Sequence, residues 1–345
     1  MHQNHKKVIF SIERMNVDKK FDFPLIKNLN PIEIVKIYEN FRTIFPKDKK
    51  KTLDTKVVEN LKDVLDDFDV LLLDAFGVLN IGKNLVQGIK ETLELARDKG
   101  IILLIVTNGA SYNSARKINQ LYELGLDFSY DEIISSRDVA ERFLSLNSPG
   151  GTIGIFGNMD EDIKFNNALS ISIENNLNKL DDVNSILFLG TSTWDPLYQD
   201  LLMDSMLRFP RPFFVANPDI IAPHENKYSI EPGFYSFLLI NEGINLPLWF
   251  GKPFSSIFEL ALEKIENLSG NNINLSRVGM VGDTLHTDIL GANSFGIKSI
   301  LMTGHGFFKN QKISSIIKDA KRGKIFILVK NSFFSFFKFL FSQNT

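Results

Sequence analysis

Residues Phe68-Asp69-Val70-Leu71-Leu72-Leu73-Asp74 form a short apolar run that ends in a carboxylate. A run without polar alternation fits a strand buried on both faces, the situation in a parallel sheet covered by helices. The pattern then repeats. Residues 84–99 read as a helix with Gly100 as its cap, and Ile101-Ile102-Leu103-Leu104-Ile105-Val106 is a second run, leading into Thr107-Asn108-Gly109. Residues 111–124 read as another helix, ending at Gly125. Strand–helix–strand–helix order predicts right-handed crossovers and an α/β fold with a parallel sheet. Buried-strand character returns at Leu248-Trp249-Phe250, at 277–281 and at 299–302, with a helix over 254–268. Between these blocks, strand candidates at 152–156, 186–189 and 212–216 alternate with helical stretches and with turns such as Asn217-Pro218-Asp219, so a second α/β module is expected.

A chain of 345 residues exceeds one typical core, and 44% apolar residues are enough to build two. Thirty-nine basic against 41 acidic residues leave a net charge of −2, which gives no argument for a nucleic-acid partner. The absence of cysteine excludes disulfides and thiolate metal sites and fits a cytoplasmic protein. The first residues lack a secretory h-region, and no apolar run is long enough to cross a membrane as a helix. Residues 1–62 are expected to be a mostly helical extension, with Asn30 capping a helix that starts at Pro31. In the apolar tail, Asn331, Ser335, Lys338 and Ser342 fall on one helical face. Residues 311–345 are therefore expected to be a helical tail docked on the protein, with a membrane-interface helix as the alternative and the only route to a membrane.

Four segments stand at the C-terminal ends of expected strands, where open α/β sheets build their sites. They are Asp74-Ala75-Phe76-Gly77-Val78, Thr107-Asn108, Gly251-Lys252-Pro253 and Gly282-Asp283-Thr284-Leu285-His286-Thr287-Asp288. A carboxylate can attack phosphorus and form an acyl-phosphate, splitting hydrolysis into two easier steps. Attacker and phosphate are both anionic, so the reaction calls for Mg²⁺ on oxygen ligands, and Asp283 offers a second carboxylate. The Thr107 hydroxyl and the backbone N–H groups around Asn108 and Gly109 suit phosphoryl oxygens, and Lys252 adds a point charge.

In this order the segments resemble the four motifs of the haloacid dehalogenase superfamily, over about residues 64–308. Asp74 matches the nucleophile, Thr107 the hydroxyl of the second motif, Lys252 the lysine of the third, and Asp283 with Asp288 the acidic fourth. The resemblance implies a Rossmann-like core at 63–134 and 246–310, with a parallel sheet and helices on both faces. It implies an inserted α/β cap at 135–245. A cap between the second and third motifs, with Ser135-Ser136 and Ala216-Asn217-Pro218-Asp219, looks like the class IIA branch. That branch implies a Mg²⁺-dependent phosphatase of a small phosphorylated metabolite, Asn217 near the substrate, and a possible homodimer through the cap. The metal set it implies is Asp74, the Phe76 carbonyl, Asp283 and Asp288, with Asp288 orienting Lys252 or a metal-bound water.

Phe76 departs from that pattern. Phosphatases of the superfamily carry a second aspartate there, which protonates the leaving oxygen, and such assistance is worth about 10²–10⁴-fold. A class IIA subgroup similarly has an aromatic at this position. Three readings stay open: a phosphatase with altered acid–base chemistry, a dehalogenase- or phosphonatase-like reaction needing no second aspartate, and a non-catalytic phospho-ligand-binding protein.

Overall fold

The computed structural model describes residues 20–49, 55–157, 163–223, 228–270, 273–309, 311–312, 314–316, 318 and 339–342. Its main sheet has seven strands in the order Thr55–Val58, Phe339–Ser342, Lys298–Met302, Val278–Gly282, Val70–Leu73, Ile102–Thr107 and Ile133–Ser135. The last five are mutually parallel. Within Val70–Leu73 and Ile102–Thr107, successive residues alternate between two apolar clusters: Val70, Leu72 and Leu104 lie in one, Leu71, Leu73 and Leu103 in the other. Both faces are thus covered, which is why these strands read as unbroken apolar runs.

The chain order of the five parallel strands reverses between Val70–Leu73 and Val278–Gly282. That reversal is the switch point at which open sheets leave a crevice. Asp74 and Asp283 immediately follow these two neighbouring strands, and Asp74 N–H continues the pairing by donating to Val281 O at 2.9 Å.

A second sheet, all parallel, runs Leu248–Trp249, Phe213–Val215, Ser185–Phe188, Thr152–Phe156 and Leu169–Ser172. Two boundaries differ from expectation. Leu248–Trp249, assigned to the core from its apolar character, pairs with Phe213–Val215 in the second sheet. The inserted module also starts later than residue 135, since Ser135 ends a core strand and the helix Ser136–Leu146 packs beside the core helix Ser255–Ser269.

The termini differ as well. Pro31–Asn40 is a helix with Asn30 as N-cap, its Oδ1 accepting from Ile32 N–H and Glu33 N–H, as the sequence predicts. Thr55–Val58, by contrast, is an edge strand, as its β-branched residues favour. Most of the expected tail helix lies outside the described residues. Its end, Phe339–Ser342, is a strand that pairs antiparallel with Lys298–Met302 and with Thr55–Val58. The backbone groups left open at the edge of the parallel sheet are satisfied by that pairing, which outweighs a helical periodicity. Among the described residues, no helix is long and apolar enough to cross a membrane.

Candidate active site

Asp74 sits at the end of its strand, and the loop beyond it turns back at Gly77, whose φ of +83° favours glycine. A Cβ there would lie 2.1 Å from Asp283 Oδ2, and one on Gly306 would lie 1.9 Å from the same atom. Two glycines therefore let the backbone close around one carboxylate. Asp283 Oδ2 also accepts from Phe307 N–H at 2.7 Å, and its Oδ1 from the Thr284 hydroxyl at 3.0 Å. Asp288 is carried by the π-turn Leu285–Ile289, and its Oδ2 accepts from Thr284 N–H at 3.0 Å. This wide turn, a local form frequent at functional sites, folds Asp288 back over the strand end.

One carboxylate oxygen from each of Asp74, Asp283 and Asp288 lies within 4.8 Å of the others. Lys252, only 1% exposed, reaches Asp74 Oδ1 at 2.5 Å and Asp288 Oδ1 at 2.8 Å. Three carboxylates against one ammonium leave a formal excess of two negative charges in a buried space. A divalent cation would offset that excess, and an all-oxygen donor set suits a hard ion. Burial pushes the Asp74 carboxyl up to about 6, against the lowering pull of Lys252. Burial likewise raises Asp283 well above the usual carboxylate range, with Asp74 and Asp288 adding to the effect. The neighbouring carboxylates hold the Lys252 ammonium charged despite its burial.

Asn108 joins this cluster to the second module. Its Oδ1 accepts from Lys252 N–H at 2.7 Å, and its Nδ2 donates to Lys252 O at 2.9 Å and to Asp219 Oδ1 at 3.0 Å. Gly251, at φ +94°, makes room for it, because a Cβ there would lie 2.6 Å from Asn108 Oδ1. The Thr107 hydroxyl accepts from Gly109 N–H at 3.2 Å.

A cavity of about 680 Å³ opens over these groups, within the range of small-ligand sites. Asp74, Phe76, Thr107, Gly109 and Asn217 line it, so residues chosen from three distant segments share one space. Asp283, Asp288, Asn108 and Lys252 stand in the shell beside it. Asn217 uses its amide within the loop, Nδ2 donating to Glu231 Oε2 and Oδ1 accepting from Asp219 N–H.

Several lining residues were not selected from sequence, among them Lys83, Tyr112, Lys117, Ser229 and Glu231. Burial lowers the Lys117 amine to about 7, and the amine donates to Tyr112 O. The class IIA resemblance places Asp219, with Asn217 and Gly233, where the cap meets substrate, and Asp219 lines the cavity, but nothing local marks it as a neighbour of Lys252. His286 does not line the cavity. It is buried, with Nε2 2.6 Å from Glu39 Oε1 and its ring stacked on Tyr38 at 4.7 Å.

Family models match two stretches of the chain, the first running into the inserted module. The model described as haloacid dehalogenase-like hydrolase covers residues 71–168, and a HAD-hydrolase-like model covers 249–323. The chain is a haloacid dehalogenase-like hydrolase. An acid sugar phosphatase of Staphylococcus aureus is 25% identical to it over 235 residues, 68% of this chain and 85% of that protein. Among solved structures, a possible sugar phosphatase of the HAD superfamily from Cytophaga hutchinsonii is 27% identical with a TM-score of 0.65, covering 78% of this hydrolase and 94% of that chain. A glycerol phosphate phosphatase from Mycobacterium tuberculosis, solved in complex with magnesium, shares the fold at 22% identity and a TM-score of 0.55, over 68% of each chain.

Proposed function

We propose that this hydrolase is a Mg²⁺-dependent phosphatase of a small phosphorylated metabolite, of the class IIA kind, working in the cytoplasm. The observation that carries the reading is the joint placement of Asp74, Asp283, Asp288 and Lys252 at a sheet switch point, under a cavity of metabolite size. The names of the relatives favour a sugar phosphate or a similar alkyl phosphate as substrate.

Asp74 is the nucleophile. Its carboxylate oxygen forms a bond to phosphorus as the bond to the leaving oxygen breaks, giving an aspartyl-phosphate. Water then attacks phosphorus, the bond to Asp74 breaks, and phosphate and the free carboxylate result. The Thr107 hydroxyl, itself accepting from Gly109 N–H, and the backbone N–H groups around Asn108 hold phosphoryl oxygens, and the Lys252 ammonium offsets the charge that builds on them. Asp74, Asp283 and the Phe76 carbonyl would hold Mg²⁺, with Asp288 fixing Lys252 beside them. Bound there, the cation neutralises the phosphoryl group and the attacking carboxylate.

The test is phosphate release from a panel of sugar phosphates, glycerol phosphate and acetyl phosphate during a Mg²⁺ titration, with Asp74→Asn as control. Release that needs Mg²⁺ and disappears in Asp74→Asn is expected. Release that persists in Asp74→Asn would refute the nucleophile. Mg²⁺ binding without release from any substrate would favour a phospho-ligand-binding role.

A further inference from the structure

Phe76 lines the cavity but has no proton to give, so alkyl phosphate hydrolysis here needs a donor from elsewhere. Few groups around the cavity qualify. Asp74 is committed as nucleophile. Lys117 donates to a main-chain carbonyl, and Lys83 and Glu123 are exposed. Glu231 has both oxygens engaged, one by Asn217 Nδ2 and one by the Ser229 hydroxyl. Asp219 lines the same cavity and is differently held. Its Oδ1 accepts from Asn108 Nδ2, and among the described residues no hydrogen bond occupies its Oδ2.

We propose that Asp219, from the inserted module, donates the leaving-group proton in place of a residue at position 76. This rests on the phosphatase reading above. The Asn108 amide cannot flip, because Lys252 N–H requires its oxygen and Lys252 O its nitrogen. It therefore fixes one oxygen of Asp219 and leaves the other for the substrate. The same Lys252 touches Asp74, so Asn108 and Lys252 together link donor and nucleophile. The Asp219 loop is rigid: Asp219 N–H donates to Asn217 Oδ1, Gly233 N–H donates to Asp219 O, and Ile220 N–H donates to the Tyr38 hydroxyl. A Cβ on Gly233 would lie 2.2 Å from Pro218 O, so that contact needs glycine.

The charged groups that act on Asp219 are Lys252, Asp74 and Asp288, with the Asn108 amide in contact. Burial outweighs the pull of Lys252 and Asn108 and raises the carboxyl well above its usual range, the direction a proton donor needs. In the first step the Asp219 proton moves to the bridging oxygen as its bond to phosphorus breaks, and a neutral alcohol departs. In the second step the Asp219 carboxylate takes a proton from the water that attacks the aspartyl-phosphate. Both carboxyl groups are then as they began.

The experiment compares Asp219→Asn with the wild type on glycerol phosphate, a poor leaving group, and on p-nitrophenyl phosphate, which departs without a proton. The expected result is a fall of about 10²–10⁴-fold in kcat/KM on glycerol phosphate, with a far smaller fall in kcat/KM on p-nitrophenyl phosphate, whose kcat drops because the second step still lacks its base. Equal losses on both substrates, or no loss on either, would overturn the role of Asp219. The same split in Glu231→Gln but not in Asp219→Asn would overturn it too, by moving the donor to Glu231. A second measurement needs no variant. Across a series of aryl phosphates, a shallow dependence of the wild-type rate on leaving-group pKa is expected, and a steep one would overturn the proposal. A wild type that hydrolyses neither substrate in Mg²⁺ would instead overturn the phosphatase reading, and this role with it.

Discussion

Replacing Lys252 by methionine keeps most of the side-chain volume and removes the ammonium. The structure fixes what is lost: a contact of 2.5 Å to Asp74 and one of 2.8 Å to Asp288, both out of water. Breaking a buried charge pair from one side is worth about 3–5 kcal/mol, because the partner stays buried and uncompensated. Here two carboxylates are stranded, with Asp283 beside them. At about 2 °C per kcal/mol for a protein of this size, the unfolding midpoint of the metal-free variant falls by roughly 6–10 °C. The same electrostatics predict a compensation. With the competing positive charge gone, the three carboxylates attract a divalent cation more strongly. Saturating Mg²⁺, worth about 2.7 kcal/mol at a hundredfold excess over Kd, therefore raises the midpoint further in Lys252→Met than in the wild type. Differential scanning fluorimetry with and without Mg²⁺ measures both effects. A metal-free loss below about 1 kcal/mol would refute the charge argument, since exposed pairs contribute that little. An equal Mg²⁺ response in the two proteins would refute the cation site.

Mg²⁺ affinity should fall as pH drops below about 6, where burial places the Asp74 carboxyl, because the cation must displace its proton. The stability sign runs the other way in the metal-free protein. A raised carboxyl contributes stability that is fully present below its unfolded value of about 3.9 and is lost as pH rises through about 6. Calorimetric Mg²⁺ titrations at about pH 5 and pH 7.5 check the first point, and a pH-independent affinity would refute it. Tyr38→Phe strands the Ile220 N–H in a buried position and should destabilise by about 1–3 kcal/mol. Urea unfolding reads this, and a change below about 0.5 kcal/mol would show that the hydroxyl does not matter.

What the sequence made legible follows from the range of the interactions involved. Val70–Leu73 and Ile102–Thr107 were readable because burial on both faces leaves an unbroken apolar signature. The site was readable because each of its segments directly follows a strand. Leu248–Trp249 looks alike in sequence yet belongs to the other sheet with Leu248 exposed, since apolarity names no pairing partner. Phe339–Ser342 was assigned to a helix because local periodicity does not sense a sheet edge waiting far away in the chain. Asp219 was recognisable as a turn residue, but its hydrogen bond to Asn108 spans 111 positions. The contact between His286 and Glu39 spans 247, and neither residue type signals it.

The N-terminal segment gives these long-range contacts a common logic. Phe23 meets Phe234 edge to face, Phe41 stacks on Phe237, and the Asn241 side chain bonds the Phe21 backbone in both directions, all on the helix Pro232–Asn241 of the inserted module. From the same segment, Tyr38 and Glu39 hold His286 in the core turn that carries Asp288. Tyr38 therefore touches both sides, its ring on His286 and its hydroxyl on Ile220, next to Asp219, and Phe45 does so through Phe237 and Phe254. When the proton donor and the nucleophile sit on one loop, their distance is set by local backbone geometry. When the donor comes from an inserted module, that distance depends on how the module docks, and a shift of about 1 Å is enough to lose much of a rate. A chain with phenylalanine at position 76 thus has more need of a fixed docking than one with an aspartate there, and residues 20–45 pack across the junction where that fixing is required.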